Sequence, residues 1–196
     1  MRRLAINTTT AAAFDGLSLA TIKQQLRIRN NDDDSELVKL GQRAVAYVER
    51  LSGYYFATRT LTVNLSCFPL GRDAIELPIV PVSSVTSVSY YDTSSADQTW
   101  SSDDYTTVLN DMAPSTIQPD YDETWPSAVT GRVDAVRILL VAGHATPSAV
   151  PDELQDAALM KLTQLFDRDI ENQSNSNDAI NRRIASLGWG FYAGAT

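Results

Sequence analysis

The chain has 196 residues, enough to complete one hydrophobic core with room for a smaller satellite. Sixteen Lys and Arg stand against 24 Asp and Glu, a formal net charge of −8, which excludes a broad nucleic-acid-coating face but not a local basic patch. The single cysteine, Cys67, excludes an intrachain disulfide and reads as a small buried or half-buried apolar residue. The longest apolar run, 138–142, has the length of a strand, so no membrane span is expected. Met1-Arg2-Arg3 leads into Asn7-Thr8-Thr9-Thr10 rather than into the apolar stretch of a secretion signal, and cytoplasmic folding is expected.

Residues 1–16 are rich in Thr and Ala without a clear period and read as a flexible or partner-ordered arm. A short helix is predicted over 18–28, capped by Ser18, with Leu19, Ile22 and Leu26 on one face. Asp33 and Glu36 have capping-box spacing and open a longer helix over 34–52. Its stripe is Leu37, Leu40, Ala44, Tyr47, Val48 and Leu51, and Gly53 stops it. The period then changes to two. Leu61, Val63 and Leu65 alternate with polar residues in a half-buried strand, and Ile75 with Leu77 marks a second. Pro78 and Pro81 bracket a connector. Strands are predicted over 85–91 and 105–109, with residues 92–97 as a hairpin loop leading to Trp100.

Residues 110–130, with Pro114, Pro119 and Pro126, read as a loop pinned to the body by Tyr121 and Trp125. The strongest strand signal covers 133–141, where Arg137 interrupts an apolar run. A helix over 151–169 opens with Pro151, Asp152 and Glu153 and places Leu154, Ala158, Leu162, Leu165 and Phe166 on its face. Residues 171–178 read as an Asn/Ser-rich spacer, and 179–187 as a last short helix. The order excludes a doubly wound parallel sheet. It predicts an α+β fold: a bundle of two or three main helices, an inserted small antiparallel β module spanning 58–142, and an extended C-terminal arm over 171–196. The body, 17–170, is expected to be one domain.

No catalytic constellation emerges. The only histidine, His144, follows Gly143 in a loop before a helix, and no serine sits in a nucleophile elbow. Asp32-Asp33-Asp34 lacks calcium-loop spacing and suits helix capping instead; Asp103-Asp104 and 120–123 read as solvated loop faces. No phosphate-binding glycine loop and no zinc-spaced Cys/His set is present, so no metal and no cofactor is expected. Arg182-Arg183 is the only tight basic pair after the N-terminal arm, suited to an ion pair, a partner or a phosphate. Trp189, Phe191 and Tyr192 lie among glycines at the C-terminus, where they either fold back on the body or dock into a partner. The spacer before them favours the partner.

The order of these motifs resembles the head–tail connector, or head-completion adaptor, proteins of tailed bacteriophages. The likeness runs through Leu17-Ser18-Leu19, Ile22-Lys23, Leu26-Arg27-Ile28, the Asp-rich gap, and the helix ending Tyr47-Val48-Glu49-Arg50-Leu51-Ser52-Gly53. It continues through Leu77-Pro78, Pro81-Val82, Val85, Val88 and Asp104-Tyr105 to Ala142-Gly143-His144, Val150-Pro151, Leu154 and Ala157-Ala158. The resemblance implies a non-catalytic, homo-oligomeric ring, usually dodecameric, in the virion neck. Its partners would be the portal protein above and a neck or tail-terminator protein below, with DNA passing through without specific binding. It also implies that the C-terminal arm, with Trp189, Phe191 and Tyr192, engages the portal. Two other readings are a small metal-dependent hydrolase using the loop aspartates and a free-standing protein-binding module.

Overall fold

The computed structural model describes residues 4–10, 16–167, 179–182 and 184. The fold is α+β, and the chain divides into two compact units: Met1–Ala11 with Thr58–Gly143, and Ala12–Ala57 with His144–Thr196. Strands fill the first unit and helices the second.

The β unit holds two antiparallel sheets. Five strands, β1 (Leu4–Thr8), β2 (Arg59–Leu65), β4 (Val82–Tyr91), β5 (Asp97–Trp100) and β8 (Val136–Ala142), lie in the order β1-β2-β8-β4-β5. Three more, β3 (Ile75–Leu77), β6 (Tyr105–Val108) and β7 (Ser115–Pro119), lie in the order β3-β7-β6. The register explains the alternation in the sequence. Leu61 pairs with Leu140 and Val63 with Ile138, and Ile138 also pairs with Val88, so rows of apolar side chains cross the sheet on one face. All five of those side chains are fully buried. β4 is longer than its partner β8, and two register shifts, between Val82 and Ser84 and between Val85 and Ser87, take up the excess. The β4–β5 hairpin is closed by Asp92, whose Oδ1 accepts from the Ser94 and Ala96 N–H groups at 2.8 and 3.0 Å.

In the helical unit, α1 (Leu19–Leu26) begins where Ser18 Oγ accepts from the Thr21 N–H at 3.1 Å. α2 (Asp34–Ser52) ends at Gly53, which takes the left-handed conformation. α3 (Asp152–Asp167) packs on α2 through Leu154, Ala157, Ala158 and Leu162, all fully buried. Pro151 stands just before α3, and its carbonyl accepts from the Leu154 and Gln155 N–H groups. Residues 179–182 and 184 are helical, with Ile180 and Ile184 buried. No helix among the described residues is long and apolar enough to cross a membrane.

Several expectations are corrected. Within the arm expected over 1–16, Leu4–Thr8 is an edge strand that pairs along its length with β2; its five residues find their partner only in three dimensions. The loop expected over 110–130 contains β7, whose Ser115, Ile117 and Pro119 alternate inward. Pro119 is tolerated because it sits at the strand's end. The strand expected over 133–141 begins three residues later, at Val136. Asp33 makes no side-chain cap, so the capping box does not form. The buried face of α2 is turned towards Gly41, Val45 and Ser52, leaving Leu40, Tyr47 and Leu51 half-buried. Cys67 is exposed rather than buried. Trp125 does pin its loop, donating Nε1–H to the Asp73 carbonyl at 2.9 Å, but Tyr121 is 81% exposed.

Candidate functional site

The residues weighed for chemistry do not converge. His144 forms an isolated bridge with Ala57 at the start of the helical unit's second stretch. Asp34 makes an ion pair with Lys23 of α1, and Asp32 accepts from Asn30. Among the described residues no three His, Cys, Asp or Glu side chains come together as a metal site would require. Arg182 is exposed on the last helical turn. Arg183, Trp189, Phe191 and Tyr192 lie outside the described residues.

The densest polar arrangement surrounds Tyr91 at the end of β4. The Arg132 and Arg137 guanidinium carbons lie 3.7 and 4.4 Å from its ring centroid. Arg137 donates to Tyr91 Oη at 2.6 Å and pairs with Asp97; Arg132 pairs with Asp134 at 2.9 Å. Hydrogen bonding to Arg132 holds the Asp134 carboxyl below its usual pKa, and bonds from Gln98 and the Ala96 N–H do the same for Asp92. Every charge is satisfied within the unit, so this network fixes the sheet's edge and leaves no spare group for a substrate. The lowered pKa of Asp92 means that its contribution is present above the ordinary carboxylate range and is lost as pH falls through its folded value. An NMR titration should therefore place its midpoint below the usual aspartate value of about 3.9. A normal or raised midpoint would contradict the closing role assigned to this turn.

Two exposed surfaces remain. At one end of the three-stranded sheet, the Asp120 N–H donates to the Asp104 carbonyl at 2.9 Å, and Arg72 donates to the Asp120 and Tyr121 carbonyls. These bonds tie the loop carrying Leu70, 87% exposed, to the loop carrying Tyr121. Asp103, Asp120, Asp122 and Glu123 are exposed around them. In the helical unit, the face of α2 opposite its buried side carries Lys39, Arg43, Ala46 and Arg50, all exposed. No carboxylate pairs with these three cations among the described residues. Lys161 of α3 stands 4.1 Å over the Tyr47 ring, which Arg50 also approaches. Burial and the Arg50 charge lower the Lys161 pKa. The sequence held a signal for the α2 face, since spacings of four, three and four line up on a helix. It held none for Leu70 with Tyr121, which only the fold brings together.

Surfaces without a reaction centre suit an assembly component, and the chain's relatives agree. Residues 17–124, more than half of the chain, match the phage gp6-like head-tail connector proteins. The chain belongs to that family. The resemblance carried by the motifs from Leu17 to Tyr105 is thereby borne out. No curated protein sequence matches the chain. Solved structures do. A chain of the virion of a native gene transfer agent particle aligns with TM-score 0.68 and 23% identity over 83% of this chain and 84% of that one. One from the neck of the empty particle, computed with C6 symmetry, gives 0.67 and 21% over 83% and 84%. One from the native neck, computed with C12 symmetry, gives 0.67 and 22% over 83% of each chain. At these identities the likeness is one of fold. Membership of the connector family makes the chain a structural component of the virion, at the junction of head and tail.

Proposed function

We propose that this protein is a non-catalytic subunit of the phage neck, a homo-oligomeric, dodecameric ring that joins the portal vertex to the next neck or tail protein. The family match over 17–124 carries this reading. Fold likeness to neck chains of a particle computed with C6 and with C12 symmetry supports the ring, since a dodecamer is compatible with both. The ring's net negative charge favours passage of DNA over capture, because tight phosphate contacts resist sliding. The helical unit, interrupted in sequence by the β unit, approaches the portal. Trp189, Phe191 and Tyr192 anchor the C-terminal arm on the portal, with Arg182 and Arg183 as further contacts.

Loss of the gene should leave DNA-filled heads without tails, and purified protein should load onto such heads as a ring visible by electron microscopy. Tailed, infectious particles from the null would overturn the reading. Removing residues 188–196 should abolish loading while helix content by circular dichroism stays unchanged. Trp189→Ala or Phe191→Ala alone should weaken loading roughly 30-fold, the effect of losing about 2 kcal/mol at a hot spot. Normal loading of the truncated chain would remove the arm from the portal contact.

A further inference from the structure

The two exposed surfaces complement each other, and the ring reading above gives them a use. We propose that the Leu70–Tyr121 end of the β unit on one copy docks onto the outward face of α2 on the next. Tyr121 and Leu70 would lie against Ala46, with Asp120, Asp122 and Glu123 meeting Lys39, Arg43 and Arg50.

Charge comes first. Residues 58–143 hold eleven Asp and Glu against four Arg. Three of those four are engaged within the unit, Arg72 on backbone carbonyls and Arg132 and Arg137 on Tyr91 and carboxylates. The loop end of this unit is therefore net negative, with Arg72 as its cation against Asp103, Asp120, Asp122 and Glu123. α2 offers three exposed cations on a single face; of the two acidic residues in its first turn, Asp34 is paired with Lys23 and Glu36 is exposed. Opposite patches of this kind steer encounter and fix register.

Shape and apolar content agree. A Leu and a Tyr that are 87% and 81% exposed, on loops tied together by Arg72, are the most exposed of the large apolar side chains of the β unit, and Tyr121 stands between Asp120 and Asp122 in the chain. Ala46 leaves a low place between Arg43 and Arg50 on the helix, where a ring can rest with a guanidinium beside it. Duplex DNA could use the cations but would leave Leu70 and Tyr121 idle. A second copy of the chain uses both surfaces. Because the patches differ, the contact is head-to-tail, the kind that closes into a ring.

The test uses the full-length protein in sedimentation equilibrium at low and at high salt. Wild type should associate with rising concentration at low salt and lose this at high salt. R43E/R50E and D120K/D122K should each associate at least tenfold more weakly, as should Tyr121→Ala. An equimolar mixture of the two charge variants, or one chain carrying all four changes, should recover association, which misfolding could not do. Unchanged assembly of every variant overturns this interface and leaves the ring standing. Wild type that stays monomeric at low salt, yet forms rings on portal-bearing heads, also overturns it. Retention of duplex DNA by wild type that R43E/R50E abolishes would assign the α2 face to DNA instead. Absence of rings on the heads sinks the parent reading.

Discussion

Ile138→Ala should destabilise the β unit by about 2–5 kcal/mol, the usual range for emptying a buried Ile site. Ile138 sits on β8, the central strand of the five-stranded sheet, with Val63 opposite on one side and Val88 on the other. All three are fully buried, and Val88 pairs in turn with Trp100 of β5. A cavity there lies beneath three strands at once and cannot collapse without moving the ladder. For a unit of this size the melting temperature should fall by roughly 10 °C or more. Fluorescence can follow the loss, because Trp100 and Trp125 stand 5.0 Å apart in a cluster with Phe68, within the β unit. A Trp189→Phe background confines the signal to that pair. A loss below about 1 kcal/mol would mean that β8 is not the keystone of the sheet.

The helices and the strong strands were legible because each announces itself locally. α2 matches its expected bounds, Asp34–Ser52, since a long amphipathic stripe and a terminal Gly53 leave little choice. β2 and β8 were legible through alternation of buried and open positions. What escaped depends on partners distant in sequence. β1 is a strand because β2 offers it an open edge. β7 reads as a proline-rich loop until β3 and β6 flank it. The second sheet was therefore legible only as two separate strands, and the small β module expected over 58–142 proves to hold seven strands, with β1 as an eighth from the N-terminal segment.

The same distinction governs the functional surfaces. The family could be read from the order of motifs between Leu17 and Tyr105, a property of the sequence itself. Arg182 could be singled out as part of a basic pair, although only its exposure is described. In sequence, Tyr121 and Trp125 both read as pins for their loop. Here Trp125 fills that place against Phe68, their ring centroids 5.0 Å apart, and Tyr121 is left in solvent. The exposed aromatic is thus a consequence of which ring won the core.

Gly16→Ala should cost the helical unit about 2–5 kcal/mol, and two separable effects set that figure. Gly16 has φ +82°, a backbone conformation that costs a residue with a Cβ about 1–2 kcal/mol. An added Cβ would also stand 2.8 and 2.9 Å from the two γ-carbons of Val45. Val45 is buried on α2, and a β-branched side chain in a helix holds essentially one rotamer, so it cannot swing aside. Overpacking of this kind costs about 1–3 kcal/mol. Gly71→Ala supplies the control: its φ is +62°, but nothing lies within 4 Å of the new carbon. It should therefore show the backbone penalty alone, about 1–2 kcal/mol. Val45→Ala in the Gly16→Ala chain should return part of the loss by opening space, even though Val45→Ala by itself destabilises. Equal costs at Gly16 and Gly71, or no coupling between Gly16 and Val45 in that double-mutant cycle, would show that the segment entering α1 does not rest on α2.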